Sequence, residues 1–261
     1  MIVAITGAAR GIGYATAKAL KAGGATVVIG DIDEEAVAKA ASELGVEGHV
    51  LDVTNRASFE VFLEAAGEYD VLINNAGIMP IGPVLEETDA DAKRCFDINV
   101  HGVMLGTKIA LARFVPLGKG HVINIASLAG VLSTPGLALY NGSKAAVLGF
   151  TEAARLEVKR HGVEVSAVLP TFTNTELVAG TRSPKGQKNC EPEDIAKAVV
   201  NLIAKPRPQV TVPSKLAASV KISGLMPQSV KDAMNRRLGL DTIFLDFDHD
   251  ARKAYDSRIR S

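Results

Sequence analysis

Ser127, Tyr140 and Lys144 supply three groups that proton transfer at an alcohol requires: a hydroxyl donor, an acidifiable phenol and a cation. Tyr140 and Lys144 stand four residues apart in YNGSK, thirteen residues after Ser127. On a helix, the i and i+4 positions share a face. A free phenol has a pKa of about 10, too high for a base near neutrality. A nearby ammonium favours the phenolate and lowers that value. Tyr140 is therefore the candidate acid/base, Lys144 its electrostatic tuner and Ser127 the donor that holds the reacting oxygen.

Such a set needs a strand end and a following helix to hold it. Ser127 directly follows the apolar run VINIA, which points to the carboxyl end of a strand. Strand candidates recur at Ile2–Thr6, Thr26–Gly30, Gly48–Leu51, Val71–Asn74, His121–Ala126, Glu164–Leu169 and Gln209–Val212. Helical periodicity fills most intervals, over Ile12–Ala22, Glu34–Leu44, Ala57–Ala66, Asp91–Phe114, Leu137–Arg160 and Glu193–Ala204. This alternation predicts an α/β fold with a doubly wound parallel sheet and helices on both faces. Several strands are continuous apolar runs, as burial on both faces demands. Ligands then belong at the carboxyl ends of the strands.

A glycine-rich turn stands at that end of the first strand. TGAARGIG places Gly7, Gly11 and Gly13 between a strand and a helix, where the backbone can approach a pyrophosphate and the helix amino terminus favours its charge. The spacing is G-x-x-x-G-x-G, not the common dinucleotide fingerprint. Asp31 ends the second strand, where its carboxylate can accept from adenosine ribose hydroxyls and repel a 2′-phosphate. Ile32 offers no compensating charge. Arg10 pulls the other way: it can pair with a 2′-phosphate, cover the adenine or face solvent. The direct carboxylate outweighs it, so NAD is expected in preference to NADP.

TGAARGIG, NNAG at Asn74–Gly77, Ser127, YNGSK and the seven-strand rhythm together resemble the single-domain short-chain dehydrogenase/reductases over about residues 1 to 212. The resemblance implies a Rossmann-type sheet of order 3-2-1-4-5-6-7 and an oxidoreductase that interconverts an alcohol and a ketone or aldehyde with NAD(P). It implies that Asn99, in DINVHG, is a fourth catalytic residue, holding a water in the proton relay beyond Lys144. Asp52 and Val53 match adenine contacts, Ile12 matches the cofactor wall, and Asn74, Asn75, Ala76 and Gly77 match residues that line the cofactor and brace the sheet. Lys144 and Tyr140 also match cofactor contacts, Lys144 on the nicotinamide ribose. After the sixth strand, Pro170, the Thr173 backbone and the Thr175 hydroxyl match contacts to the nicotinamide. Thr171 stands where the family has glycine, which restricts the backbone at that point. Gly142 within YNGSK should cost its helix about 1 kcal/mol relative to Ala. Other readings on this scaffold are a non-catalytic dinucleotide sensor, disfavoured by the intact phenol, and an epimerase or dehydratase, whose substrate domain is usually longer.

Composition narrows the partners. The 261 residues are 47% apolar and 22% charged, with 29 basic and 29 acidic side chains, which gives no electrostatic reason to expect nucleic acid or an anionic membrane. Cys95 and Cys190 lie in no metal or redox spacing, and the five histidines show no ligand spacing, so no metal is expected. No basic leader precedes MIVAIT and no uninterrupted apolar run reaches membrane-spanning length, so a cytoplasmic protein is expected. Length and rhythm predict a single domain over residues 1–261, with a helical extension from 213, and the resemblance implies that it is a dehydrogenase domain.

The extension is expected to carry short helical stretches around Ala217, Val230 and Ala251, acting as a lid or an oligomer contact. Thr171–Cys190 reads as a mobile loop over the site. Leu216, Ala217, Val220, Ile222, Leu225 and Met226, with Met79, Leu132 and Phe172, point to a lipophilic small-molecule alcohol or ketone. The resemblance also implies a homodimer or homotetramer. Asp246, Asp248 and Asp250 resemble the start of a calcium loop, but Ala251 and Ser257 occupy the positions that need Gly and Glu, so they read as a solvated acidic turn. Arg252, Lys253, Arg258 and Arg260 read as a solvated helix face.

Overall fold

The computed structural model describes residues 1–184, 188–218 and 226–260. Seven strands, β1 (Ile2–Thr6), β2 (Thr26–Asp31), β3 (Glu47–Val50), β4 (Val71–Asn74), β5 (His121–Ile125), β6 (Glu164–Pro170) and β7 (Gln209–Val212), form one sheet of order β3-β2-β1-β4-β5-β6-β7. Every pairing is parallel, with registers such as Ile5↔Ile29 and Ile5↔Ile73. Alternate residues of each strand feed opposite faces. Val3, Ile5, Val27 and Ile29 pack with Leu20, Val37, Ile195 and Val199, while Ala4, Val28, Leu72 and Val122 pack with Phe59, Phe62 and Phe114. This is why the strands read as continuous apolar runs.

The helices carry their own start signals. Asp33 caps α2 (Glu34–Leu44) by accepting from Ala36 N–H at 3.0 Å, and Asn55 caps α3 (Arg56–Ala65) by accepting from Ser58 N–H at 3.1 Å. Helix α1 (Gly11–Ala22) differs: Arg10 precedes it with no side-chain cap, and its first turn holds no acidic residue. Its amino-terminal N–H groups are thus directed at the carboxyl end of β1 without a competing carboxylate.

The long stretch expected over Asp91–Phe114 is three pieces. Helix α4 (Asp89–Phe96) passes through a π-helical turn, Asp97–Gly102, into α5 (Val103–Leu117). By length and composition this run can cross a membrane, although Asp89, Asp91, Lys93, Arg94, Asp97, Lys108 and Arg113 interrupt it, so it is not the uninterrupted apolar run whose absence was expected. Here it serves as a core helix, burying Cys95, Asn99, Val100, Val103, Gly106, Thr107, Ala110 and Phe114. Helix α6 (Ala138–Val158) follows β5, and α7 (Pro192–Ala204) precedes β7 with a reciprocal Glu191/Asp194 capping box.

Beyond β7 come a short turn at Ser214–Leu216, a helix at Gln228–Leu238 and the C-terminal helix, His249–Arg260. Val220, Ile222 and Leu225, expected to face a pocket, lie outside the described residues, as does Gly186 of the loop after β6.

Candidate functional site

The strand order reverses between β1 and β4, and the carboxyl ends of the strands there open into a cavity of about 1200 Å³. At one end lies the glycine turn. Gly7 has φ +63°, and a Cβ on Gly13 would fall 2.5 Å from the Gly7 carbonyl oxygen, so both positions require glycine. Asn75 braces this turn by donating to the Thr6 and Gly7 carbonyls at 3.0 and 2.7 Å. Thr6 Oγ1 in return accepts from the Asn75 and Ala76 N–H groups, both at 3.0 Å. Thr6 is a bracing residue that the motif reading passed over, since a threonine at a strand end carries no signal of its own.

Asp31 stands at the end of β2 on the same cavity, its carboxylate accepting from Ala9 N–H at 3.1 Å and Asp33 N–H at 3.3 Å. Arg10 pairs with Asp33 at 2.6 Å, an ion pair that was not among the roles expected for it. That contact and the Ala36 N–H hold the Asp33 carboxyl below the usual carboxylate range. Ile12, Asp52, Val53, Asn75, Ala76 and Gly77 also line the cavity, as do Pro170, Thr173 and Thr175. An uncapped helix start, a turn with no room for a Cβ at Gly7 and Gly13, and a carboxylate at the second strand's end form a donor and acceptor set that can hold a dinucleotide.

Asn74 is placed elsewhere. Its side chain is buried within the sheet, donating to Asn124 Oδ1 at 2.9 Å and Thr107 Oγ1 at 3.2 Å, and Asn124 donates to Thr151 at 2.9 Å. It braces β4 against β5, α5 and α6 and does not line the cavity. Gly13 likewise supports the turn from behind.

Ser127, Tyr140 and Lys144 converge at the cavity's other end, at 8%, 8% and 4% exposure. Ser127 follows β5, while Tyr140 and Lys144 share a face of α6 as their spacing requires. The Ser127 hydroxyl accepts from Ala129 N–H at 3.1 Å and donates to the Pro170 carbonyl at 3.5 Å, and Lys144 Nζ lies 5.6 Å from the centre of the Tyr140 ring while donating to the Ile125 carbonyl at 3.0 Å. Burial pushes the phenol up to about 12, with the Ser127 hydroxyl opposing the rise. It also brings Lys144 down to about 8. In the protein alone, removal from water penalises both charged forms; the expected lowering of Tyr140 includes the positive nicotinamide of an oxidised cofactor, a charge that the chain itself does not supply.

Asn99 lies behind these three, in the π-helical turn. Its amide donates to the Ile78 carbonyl at 2.8 Å and Ser143 Oγ at 3.0 Å, and accepts from Ile78 N–H at 2.8 Å. A Cβ on Gly77 would meet Asn99 Oδ1 at 3.2 Å and Lys144 Nζ at 3.6 Å, so Gly77 lets these groups close behind the cavity wall.

Thr171 takes up its position without a left-handed backbone, since no residue other than glycine has positive φ among the described residues. Its N–H donates to the Val212 carbonyl at 3.0 Å, which carries the β6–β7 pairing one residue further. The loop that follows is tied down more than its composition predicts. Thr173 bridges to Cys190, and Glu176–Val178 forms a 3-10 turn.

The tail forms the remaining wall. Leu216, Leu238, Leu240, Phe244, Tyr255 and Ile259 line the cavity, and Phe244 stacks on Phe172 with ring centres 5.5 Å apart. Arg252, expected on a solvated face, is fully buried. Its guanidinium donates to the carbonyls of Met79 (2.5 Å), Leu177 (2.8 Å) and Ala179 (3.2 Å), and to Asp256 (3.0 Å). Tyr255 accepts from Met79 N–H at 2.9 Å. The spacing of Arg252, Tyr255 and Ile259 was the legible signal: together they make a buried stripe on a helix. The arginine within it hid the pattern.

Asp248 is the amino-terminal cap of that helix, accepting from Ala251 N–H at 3.0 Å, and Asp246 pairs with Arg182 at 3.5 Å. No cluster of metal-ligating side chains occurs among the described residues.

Residues 1–186 match the family model described as short chain dehydrogenase. The chain belongs to the short-chain dehydrogenase family. Among relatives, it is 36% identical to "Cis-4-hydroxycyclohexanecarboxylate dehydrogenase" of Sinomonas cyclohexanicum, over 77% of this chain and 88% of that one. It is 31% identical to "Probable oxidoreductase EphD" of Mycobacterium tuberculosis over 91% of this chain, and spans only 45% of that relative's length. A solved short-chain dehydrogenase/reductase from Burkholderia phymatum in complex with NAD superposes with a TM-score of 0.77 at 28% identity, covering 84% of this chain and 92% of that one. The seven-stranded order matches what the family resemblance implied, with the crossover between β1 and β4 where this short-chain dehydrogenase places its cavity.

Proposed function

We propose that this protein is an NAD-dependent oxidoreductase that interconverts a lipophilic secondary alcohol and its ketone. The observation that carries the reading is the convergence of Ser127, Tyr140 and Lys144 on one cavity wall, with the glycine turn and Asp31 on the same cavity. A bound nicotinamide supplies the carbon that takes or gives the hydride, and in its oxidised form a positive charge. The chain's residues handle the proton. Ser127 donates to the substrate oxygen; in oxidation the Tyr140 phenolate takes the alcohol proton and becomes the phenol, and in reduction the phenol returns it. Lys144 keeps an ammonium beside the ring, so a proton leaving Tyr140 leaves a phenolate next to a cation. Asn99 holds the Ile78 backbone and the Ser143 hydroxyl behind the cavity wall, and as the fourth catalytic residue would hold the relay water.

NAD is favoured over NADP because the Asp31 carboxylate is pinned at the ribose end by two backbone N–H groups and Arg10 is engaged with Asp33. A solved relative in complex with NAD supports the same choice. The lipophilic substrate class rests on the apolar cluster around the phenol, formed by Met79, Leu137, Ile243 and Phe244 with Phe172 and Leu240. Oligomerisation through the exposed surface of α4–α6, where Phe96 and Leu156 lie in the open, is part of the same proposal.

The test is Tyr140→Phe, assayed by nicotinamide absorbance with cyclic secondary alcohols and ketones beside polyols. Turnover should fall by about a thousandfold while NADH affinity stays within about twofold, the phenol adding little to ground-state binding. Unchanged turnover would remove Tyr140 as the acid/base. Turnover confined to polyols would overturn the lipophilic assignment.

A further inference from the structure

The C-terminal helix brings a cation to the cofactor cleft that none of the motifs assigns. Arg258 lines the same cavity as Gly7, Gly11 and Asp31, and its guanidinium is paired with Glu176. Glu176 follows Thr175, and a Cβ on Gly11 would meet Thr175 Cγ2 at 3.4 Å, so this loop lies directly against the glycine turn. Arg258 also lies over the Tyr255 ring, 5.3 Å from its centre. Its charge is felt on the opposite lip, where it helps to hold the Asp33 carboxyl down. The guanidinium thus shares the cleft with the uncapped start of α1, whose N–H groups favour the two negative charges of a dinucleotide.

We infer that Arg258 is a cofactor-binding residue, which exchanges the Glu176 carboxylate for the diphosphate of the dinucleotide and so ties the C-terminal helix over the bound cofactor. This rests on the dinucleotide reading of the cleft. Both side chains of the resting pair are substantially exposed, at 37% and 52%, so the pair is solvent-screened and cheap to break. A diphosphate offers the planar guanidinium fork two charged acceptors in place of one carboxylate. The helix that delivers Arg258 is already in place, held by the buried Arg252 and by the Tyr255 bond to Met79. Its ordering is therefore not charged to cofactor binding.

Binding is measured by NADH fluorescence titration, with competition by ADP-ribose and by adenosine, for wild type, Arg258→Gln and Glu176→Gln. Arg258→Gln should weaken NADH and ADP-ribose alike by about tenfold, more at low salt than at high salt, and leave adenosine unchanged. Glu176→Gln should keep or tighten NADH affinity, because it frees the same guanidinium. If Arg258 and Glu176 form only a structural pair, the two variants will weaken binding equally, and the inference falls. It falls as well if Arg258→Gln binds NADH as wild type does, or loses adenosine in equal measure. Wild-type protein that binds neither NADH nor NADPH would remove the dinucleotide reading itself, a result distinct from all of these.

Discussion

A phenol and an ammonium that are both nearly sealed from water, 5.6 Å apart by ring centre, cannot each be tuned by the other alone. Burial works against either charge, so the protein by itself holds Tyr140 as a neutral phenol and moves Lys144 toward neutrality. The residue types and spacing announced the partners. The direction of the shift depends on how much water each loses, which spacing does not encode. Asp31 is a simpler case, because a carboxylate at the end of the second strand has one geometry available. Replacing Asp31 with Ser should weaken NAD by about tenfold and remove the repulsion of a 2′-phosphate. Parallel kcat/KM measurements with NAD and NADP check this, and an unchanged ratio would remove Asp31 as the selector.

Among the elements, strand positions were legible to within a residue or two, because continuous β-branched runs bounded by turns leave little choice of register. The π-helical turn at Asp97–Gly102 was not. It depends on Asn99 finding partners in Ile78 and Ser143, residues of other elements. Thr171 was judged restrictive from its type, yet pairing to Val212 suits an extended threonine. Gly142 has only ordinary contact around a would-be Cβ, with Phe96 Cζ at 3.6 Å, and nothing in the structure explains it.

The amino ends of β5 and β6 hold a pH-sensitive contact remote from the chemistry. Ser166 donates to the Arg207 carbonyl at 2.7 Å, so it accepts from His121 Nε2–H at 2.8 Å. Burial lowers His121 to about 4. A depressed histidine binds protons more weakly when folded than when unfolded, so stability is full above about pH 6.5 and is lost as pH falls toward 4. The loss attributable to this group should reach about 2–3 kcal/mol. Urea midpoints for wild type and His121→Gln should diverge in that direction over this window. Parallel profiles would exclude His121 as the source.

At the scale of the whole molecule, the described part of the tail forms a wall of the site. Arg252 links the C-terminal helix to Met79 after β4 and to Leu177 and Ala179 after β6, and Arg260 pairs with Asp91 of α4 at 3.3 Å. Residues more than 70 positions apart thus meet around one guanidinium. Arg252→Met would leave three backbone carbonyls without their donor and should cost about 3 kcal/mol of tail docking. Hydrogen exchange should accelerate at 176–181 and 249–260 while the sheet amides stay protected. Unchanged exchange there would mean that apolar contacts alone hold the helix.

By itself the sequence determined the parallel sheet, the glycine turn, Asp31 and the Ser127/Tyr140/Lys144 set, because strand periodicity, positive-φ turns and i, i+4 spacing are local and each restricts its own few residues. Tertiary structure alone decided that Asn74 stays off the cavity wall, that burial raises the phenol, and that Arg252 is interior and Arg258 lines the cleft. Those outcomes depend on which distant segments exclude water from a side chain or offer it a carbonyl, and no short-range pattern carries that information.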